Sequence, residues 1–408
     1  MDDGRIAGAA TARYARKKET ILAAATAILN RQGVRGMTLA DVAAKVGLNT
    51  TSVTYYYRKK DDLAAACFMR GLERLEAMVD EAAAEPTPAA RILKFLDLYL
   101  DLNRRVRSGE ATPLTSFAEV KALKEPLRGS VAEAFNNLFR RVRGFFDDPS
   151  LAHLDKRQRN ARAHLLMEQV FWSGRWLRRY DVEDYGRVRD RMGDILLNGL
   201  PAAGRAWAPR PLPDPTPTSP DGLEWRETFL VAATRLINQR GYRGASVEEI
   251  SAALNVTKGS FYHHHDDKDA LVAECFERTF TVTRRSQLDA RALDADCWTQ
   301  LVSTAAGLTS YQLSEHGPLL RASSLGALPE PLRGDMADGY MRGWQRFASI
   351  ISDGVADGSI RPIDPSIAAH MINSMLNAAA SLPAWVPGLE RDEAADLFAR
   401  PLLTGVLG

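Results

Sequence analysis

Along most of the chain, apolar residues recur three or four positions apart, the stripe that predicts amphipathic helices. Residues 20–29, 91–100 and 366–376 carry it plainly, as TILAAATAIL, RILKFLDLYL and SIAAHMINSML. Runs alternating Val, Ile and Thr between hairpin turns are absent, so the expected fold class is all-α. Stop signals divide the first stretch. One helix runs from about Lys18 to Arg31 and ends at Gly33, a residue that tolerates a left-handed cap. A second opens at Thr38, an N-cap residue with Asp41 three positions on, and stops at Gly47. A third begins near Thr50.

The same pattern returns 208 positions later. Glu19–Phe68 lies on Glu227–Phe276 without a gap, and 18 of the 50 positions are identical. Asn30/Asn238, Gly33/Gly241, Arg35/Arg243, Ser52/Ser260, Lys60/Lys268 and Cys67/Cys275 are among them. In the second copy the second helix opens at Ser246 with Glu249, a capping box, and stops at Asn255. A fainter echo sets 122–129 (ALKEPLRG) on 327–334 (ALPEPLRG), an offset of 205, which extends the duplication to the whole half. Between the halves, residues 209–220 hold six prolines in twelve positions. Such a segment cannot continue a helix and reads as an extended, semi-rigid linker.

The expected organisation is therefore a flexible basic arm over 1–15, a three-helix unit over 16–63, a helical body over 64–207, the linker over 208–221, a second three-helix unit over 222–271 and a second body over 272–408. Two short helices joined by a tight turn are the helix-turn-helix geometry, which sets its second helix into a DNA major groove.

Charge sharpens that picture. The net charge of +2 conceals +9 over residues 1–208 (35 Lys/Arg, 26 Asp/Glu) and −7 over 209–408 (18 against 25). Residues 13–60 hold ten cations against two acids, whereas 221–268 hold six against seven. Phosphate contacts dominate non-specific DNA affinity, so the first unit should carry most of it. The composition, 45% hydrophobic and 25% charged, is that of a folded chain and not a disordered one. No 18-residue apolar run or signal-peptide pattern is seen, and three scattered cysteines fit a reduced, cytoplasmic setting.

The stretch Gly33–Gly47 resembles the start of the DNA-binding domain of the tetracycline-repressor (TetR) family. In the second copy, 256–265 (VTKGSFYHHH) is similar to that family's recognition helix, and 267–271 (DKDAL) continues the likeness. The first recognition helix offers Thr50, Thr51, Ser52, Thr54, Tyr55 and Tyr56; the second offers Lys258, Gly259, Ser260, Tyr262, His263 and His264. Hydroxyls can bond phosphates or base edges, Lys258 can reach guanine acceptors, and Gly259 lets the backbone approach. The resemblance implies backbone contacts from Lys60 and Lys268 and phosphate contacts from Thr38 and Ser246. The copies also diverge, since the usual aromatic is Tyr262 in one and Thr54 in the other.

Other constellations point nowhere else. Consecutive helical residues project about 100° apart, so His263, His264 and His265 cannot converge on one metal ion. No zinc-protease, nucleophile-elbow, phosphate-loop or dinucleotide pattern appears, so neither an enzyme nor a cofactor is expected. Cys67 and Cys275 occupy equivalent apolar positions and read as buried structural thiols. The resemblance implies a small-molecule pocket between body helices, with candidates Phe117, Phe139, His164, Gln169, Trp172, Tyr311, His316, Tyr340, Trp344 and Met375.

TetR-type regulators resemble one another in forming homodimers through their last two helices. Here both protomers could lie in one chain, as an intramolecular pseudo-dimer built from 162–180 and 184–200 against 366–382 and 391–406. Its recognition helices would lie about 34 Å apart and read a double-stranded DNA operator with unlike halves. A ligand would release it. Two alternatives stay open. One is a homodimer that uses only the first helix-turn-helix, and the other a ligand-binding module whose DNA heads are vestigial.

Overall fold

The computed structural model describes residues 3–217, 224–242, 244–257 and 267–408; the side chains of 3–11, 118–119, 224–225 and 327 are not described. Among the described residues it is helical, with no strand beyond one isolated bridge between Pro201 and Ile360. The first half runs α1 (Asp3–Gly36), α2 (Leu39–Lys45), α3 (Thr50–Tyr56), α4 (Lys60–Ala83), α5 (Pro88–Arg107), α6 (Leu127–Arg143), α7 (Lys156–Trp176) and α8 (Tyr185–Asn198). The second half runs α9 (Glu224–Arg240), α10 (Val247–Ala253), α11 (Lys268–Arg291), α12 (Cys297–Tyr311), α13 (Glu330–Ala356), α14 (Pro365–Ala379), a π-helical turn Ala395–Ala399 and α15 (Arg400–Thr404).

The stop signals act as their chemistry requires. Helical geometry in α1 breaks at Gly33, whose φ of 71° suits a residue without Cβ. At the other end α1 begins at Asp3, so the segment expected as a flexible arm is drawn into the helix. Alanine at 7, 9, 10 and 12 supplies the propensity that the arm reading overlooked. The offset of 205 also has a structural counterpart: 3-10 turns at Phe117–Ala122 and Ala322–Ala327 occupy equivalent places.

The chain forms two compact units, Met1–Ala84 with Leu98–Arg141, and Glu85–Asp97 with Val142–Gly408. In the first, Ile21, Ala25, Ile28, Leu29, Val42, Val53, Leu63 and Phe68 make the core of the helix-turn-helix head. In the second, Phe229, Ile237, Ile250, Leu271 and Phe276 make the equivalent core of the second head. Cys67 and Cys275 are buried at matching places, each thiol on a carbonyl of the first helix of its head (Leu22 of α1, 3.8 Å; Leu230 of α9, 3.7 Å). Burial pushes them up to about 11 and about 12, so neither is a ready nucleophile.

Within the second unit, helices of the two halves interlock. α7 packs on α14 and on Ala395–Ala399, while α8 packs on α14 and α15. Polar groups of the first half meet backbone of the second. His164 Nε2 lies 3.2 Å from the Ala378 carbonyl, Gln169 donates to Met371 O at 3.0 Å, and Arg162 donates to Val406 O at 2.9 Å. Ion pairs Arg361–Asp194 (2.7 Å) and Arg157–Glu393 flank this seam. The linker is docked along the second half. Arg210 N donates to Ser303 Oγ, Trp298 Nε1 to Ala206 O and Arg285 to Thr216 O.

Candidate nucleic-acid interface

The first head presents α3 as its outward helix. Asn49 caps it, accepting the Ser52 amide at 2.7 Å. Val53 and Tyr57, one turn apart, are buried and anchor the helix, which turns Thr50, Thr51, Thr54 and Tyr55 into solvent. Ser52 and Tyr56 are half-buried at the flanks. The four exposed residues span one face, so together they can meet a groove.

Two of the expected contacts are otherwise engaged. The Thr54 hydroxyl donates to its own helix at Thr50 O (2.8 Å). A phosphate only accepts, so Thr54 would have to release that bond first. The Thr38 hydroxyl accepts the Asp41 amide (3.1 Å) and donates to the Asp41 carboxylate (2.7 Å), which makes it a helix cap. In the second head the Ser246 hydroxyl accepts the Glu249 amide (3.2 Å) and the Ser246 backbone amide donates to the Glu249 carboxylate (3.1 Å), a full capping box.

Lys60 and Lys268 are turned onto the protein itself. Lys60 Nζ donates to Arg35 O at 3.0 Å and Val34 O at 3.4 Å. Lys268 donates to Tyr242 O, the position equivalent to Val34, and sits 4.2 Å from the centre of the Tyr242 ring. Each ammonium thus ties the start of the fourth helix of its head to the turn after the first. That shared task is one that both copies keep. Lys258, Gly259, Ser260, Tyr262, His263 and His264 lie outside the described residues.

The pocket candidates are divided between the two units, Phe117 and Phe139 in the first and the others in the second. Phe117 packs in the first unit between Phe68 and Phe135, at 6.2 and 5.6 Å, and Phe139 is buried in the same unit. His164 and Gln169 belong to the seam between halves, with His164 stacked on Phe398 at 5.3 Å. Its burial holds the imidazole below its usual range. Trp172 lies under the Arg175 guanidinium at 4.6 Å. Tyr311 and His316 meet beneath the second head, where Arg278 donates to the Tyr311 hydroxyl (2.9 Å) and the His316 carbonyl (2.6 Å) and pairs with Glu227. Trp344 stacks on His370, the Tyr340 hydroxyl accepts from Asn377, and Met375 is buried.

The first head repeats the Arg278 network with Arg70 and Glu19 (2.5 Å). In both heads an asparagine also bonds the incoming loop: Asn30 to Leu114 O and Ser116 N, Asn238 to Leu319 O and Arg321 N. In the sequence, the identity of Asn30 and Asn238 across the copies is the signal of this role.

The model of "Bacterial regulatory proteins, tetR family" matches residues 21–67 and again 229–275. Both heads are TetR-family domains. The chain thus carries the TetR-family head twice. Relatives include the transcriptional repressor DhaR of Mycobacterium sp. (strain GP1), 34% identical over 61 residues, 15% of this chain and 31% of that protein. Another is the transcriptional regulator AcrR of Shigella flexneri, 38% identical over 60 residues, 15% of this chain and 28% of that one. The matches therefore span under a third of these curated relatives. Among solved structures, the TetR-family regulator PfmR from Thermus thermophilus is 22% identical, with a TM-score of 0.37 over 43% of this chain and 97% of that chain.

Among the described residues no three His, Cys, Asp or Glu side chains gather as a metal site, and no helix is long and apolar enough to cross a membrane.

Proposed function

We propose that this chain is a DNA-binding transcriptional regulator, a repressor released from its operator by a small apolar or amphipathic molecule. The observation that carries the reading is the pair of TetR-family heads in one chain, the first with a basic surface and an exposed face at Thr50, Thr51, Thr54 and Tyr55. The relatives named as repressor (DhaR) or negative regulator (IcaR of Staphylococcus epidermidis) favour repression over activation.

Both protomer equivalents lie in one polypeptide as a pseudo-dimer, a reading supported by the packing of α7 and α8 on α14 and α15. The operator is asymmetric because the recognition segments differ at nearly every outward position, TTSVTYY against KGSFYHH. Effector binding is supported in the second body, where the Gln287 carboxamide oxygen and the Trp344 indole N–H are buried without a protein hydrogen-bond partner. An entering molecule that satisfied them would favour one arrangement of the helices over another.

The charge balance of 221–268, six cations against seven acids, favours a second reading. In it, two chains pair, each contributes its first head, and the second half is scaffold or sensor. Selection of bound fragments from the source genome, followed by footprinting, separates the two. Unlike half-sites support the first reading, a palindrome supports the second, and no enrichment over salt-sensitive background contradicts both.

A further inference from the structure

Tyr14 and Tyr55 are two of the four large apolar side chains left exposed among the described residues, at 43% and 76%. They touch. The Tyr14 ring lies 6.4 Å from Tyr55 and 4.8 Å from Tyr56, and the latter two rings are 5.3 Å apart and nearly perpendicular. Tyr14 stands on the stripe of α1 that buries Ile21, Ala25 and Ile28 further along, so it carries the inward face of that helix past the core and onto the recognition helix. It precedes residue 21, where the family match begins.

Around it, Arg13, Arg16, Lys17 and Lys18 are all exposed. Glu19, the acid next to them, is taken by Arg70. An aromatic cluster left in water and fringed by exposed cations is a surface shaped for a polyanion with stackable or apolar edges.

The second copy keeps only one cation of it, Arg226 at the position of Lys18. At the equivalent positions, Tyr14 becomes Gly222, Tyr55 and Tyr56 become His263 and His264, and Arg13, Arg16 and Lys17 become Asp221, Glu224 and Trp225. Both ends of the aromatic contact and three of its four cations are replaced together, as expected of parts that serve one purpose.

We propose that Tyr14 is a positioning residue of the first head and that the turn of α1 carrying it is a second DNA-contacting segment. Tyr14 fixes the Tyr55 ring before DNA arrives, so less side-chain freedom is lost on binding. Arg13, Arg16 and Lys17 hold phosphates beside the groove that α3 enters. The first head therefore covers a longer stretch of duplex than the second, and the inference rests on the DNA-binding reading above.

The test uses the full chain and the best fragment selected from the genome, with affinity measured across a salt series. Tyr14→Ala should weaken specific binding about 5-fold and blunt discrimination against substituted half-sites, while Tyr14→Phe, which keeps the ring contact, should restore both. Replacing Arg13, Arg16 and Lys17 by alanine should lower the slope of log K against log salt by about 2 to 3 and shorten the footprint at one flank. Wild-type affinity, slope and footprint in all these variants would overturn the inference and leave the DNA-binding reading intact. A wild-type chain without specific binding would overturn that reading itself, and this inference with it.

Discussion

His370 of the second half lies face to face with Trp176 of the first, their ring centroids 4.7 Å apart and their planes 5° from parallel. Trp344 covers its other face at 4.6 Å, and the Arg179 guanidinium sits 5.7 Å from the Trp344 ring. A titratable ring is thus clasped between two indoles at the seam where the halves meet. Burial, and then the nearby Arg179 cation, lower His370 from 6.5 to about 3. His164, on the same seam, is lowered for the same first reason.

That makes the seam acid-sensitive. In the folded chain His370 stays neutral down to about pH 3, whereas in the unfolded chain it takes a proton near pH 6.5. Its contribution is complete above about 6.5 and is lost as the pH falls toward 3. Each such histidine steepens the loss by at most about 1.4 kcal/mol per pH unit. Denaturant titrations between pH 7 and 5 should show His370→Phe with a shallower decline than wild type; an equal decline would place the sensitivity elsewhere.

The two buried arginines should differ in cost. The Arg278 side chain is 2% exposed and its Glu227 partner 18%, whereas Glu19, the partner of Arg70, is 58% exposed. Arg278→Met strands a buried carboxylate and should cost about 3 kcal/mol. Arg70→Met leaves a carboxylate that water can solvate and should cost about 1 kcal/mol. Equal costs in denaturant titration would contradict the burial argument.

Lys60 should behave as a structural lysine. With its ammonium on the Val34 and Arg35 carbonyls, Lys60→Met should destabilise the first head by about 1.5 kcal/mol. The salt dependence of DNA binding should stay unchanged, measured at a temperature where the variant is folded. A slope reduced by about 1 would restore the phosphate contact suggested by family resemblance.

Thr50 and Tyr55 carry the exposed face of α3. Replacing both by alanine should weaken binding to the selected fragment roughly 100-fold, at about 1 to 3 kcal/mol for each base contact. Non-specific binding to unrelated duplex should hardly change. Unaltered sequence preference would remove α3 from the reading role.

The heads were legible in the sequence because their signals are local. Gly33, Thr38, Ser246 and Asn255 mark helix ends through backbone geometry and single hydrogen bonds, and the structure puts caps or positive φ at each. The seam helices were legible in outline from their apolar stripes. What escaped was every role that depends on a distant partner. His164 and Gln169 read as pocket polar groups, since nothing local shows that their partners are the carbonyls of Ala378 and Met371, more than 200 residues away. For Lys60 the unseen partners are the Val34 and Arg35 carbonyls, since a lysine at a head's edge suits phosphate as well as it suits a carbonyl. Tyr14 was lost in an arm expected to be flexible, although its contacts on Tyr55 and Tyr56 bring it to the candidate interface.

The central claim is that one chain carries both halves of a TetR-type dimer and reads two unlike half-sites. The mass of the complex on a duplex cut to the footprinted fragment tests it most directly. The account requires one 45.0 kDa chain per duplex, with both half-sites protected. Two chains per duplex on a palindromic site would contradict it, and would leave the second half as a passenger on a dimer built from the first.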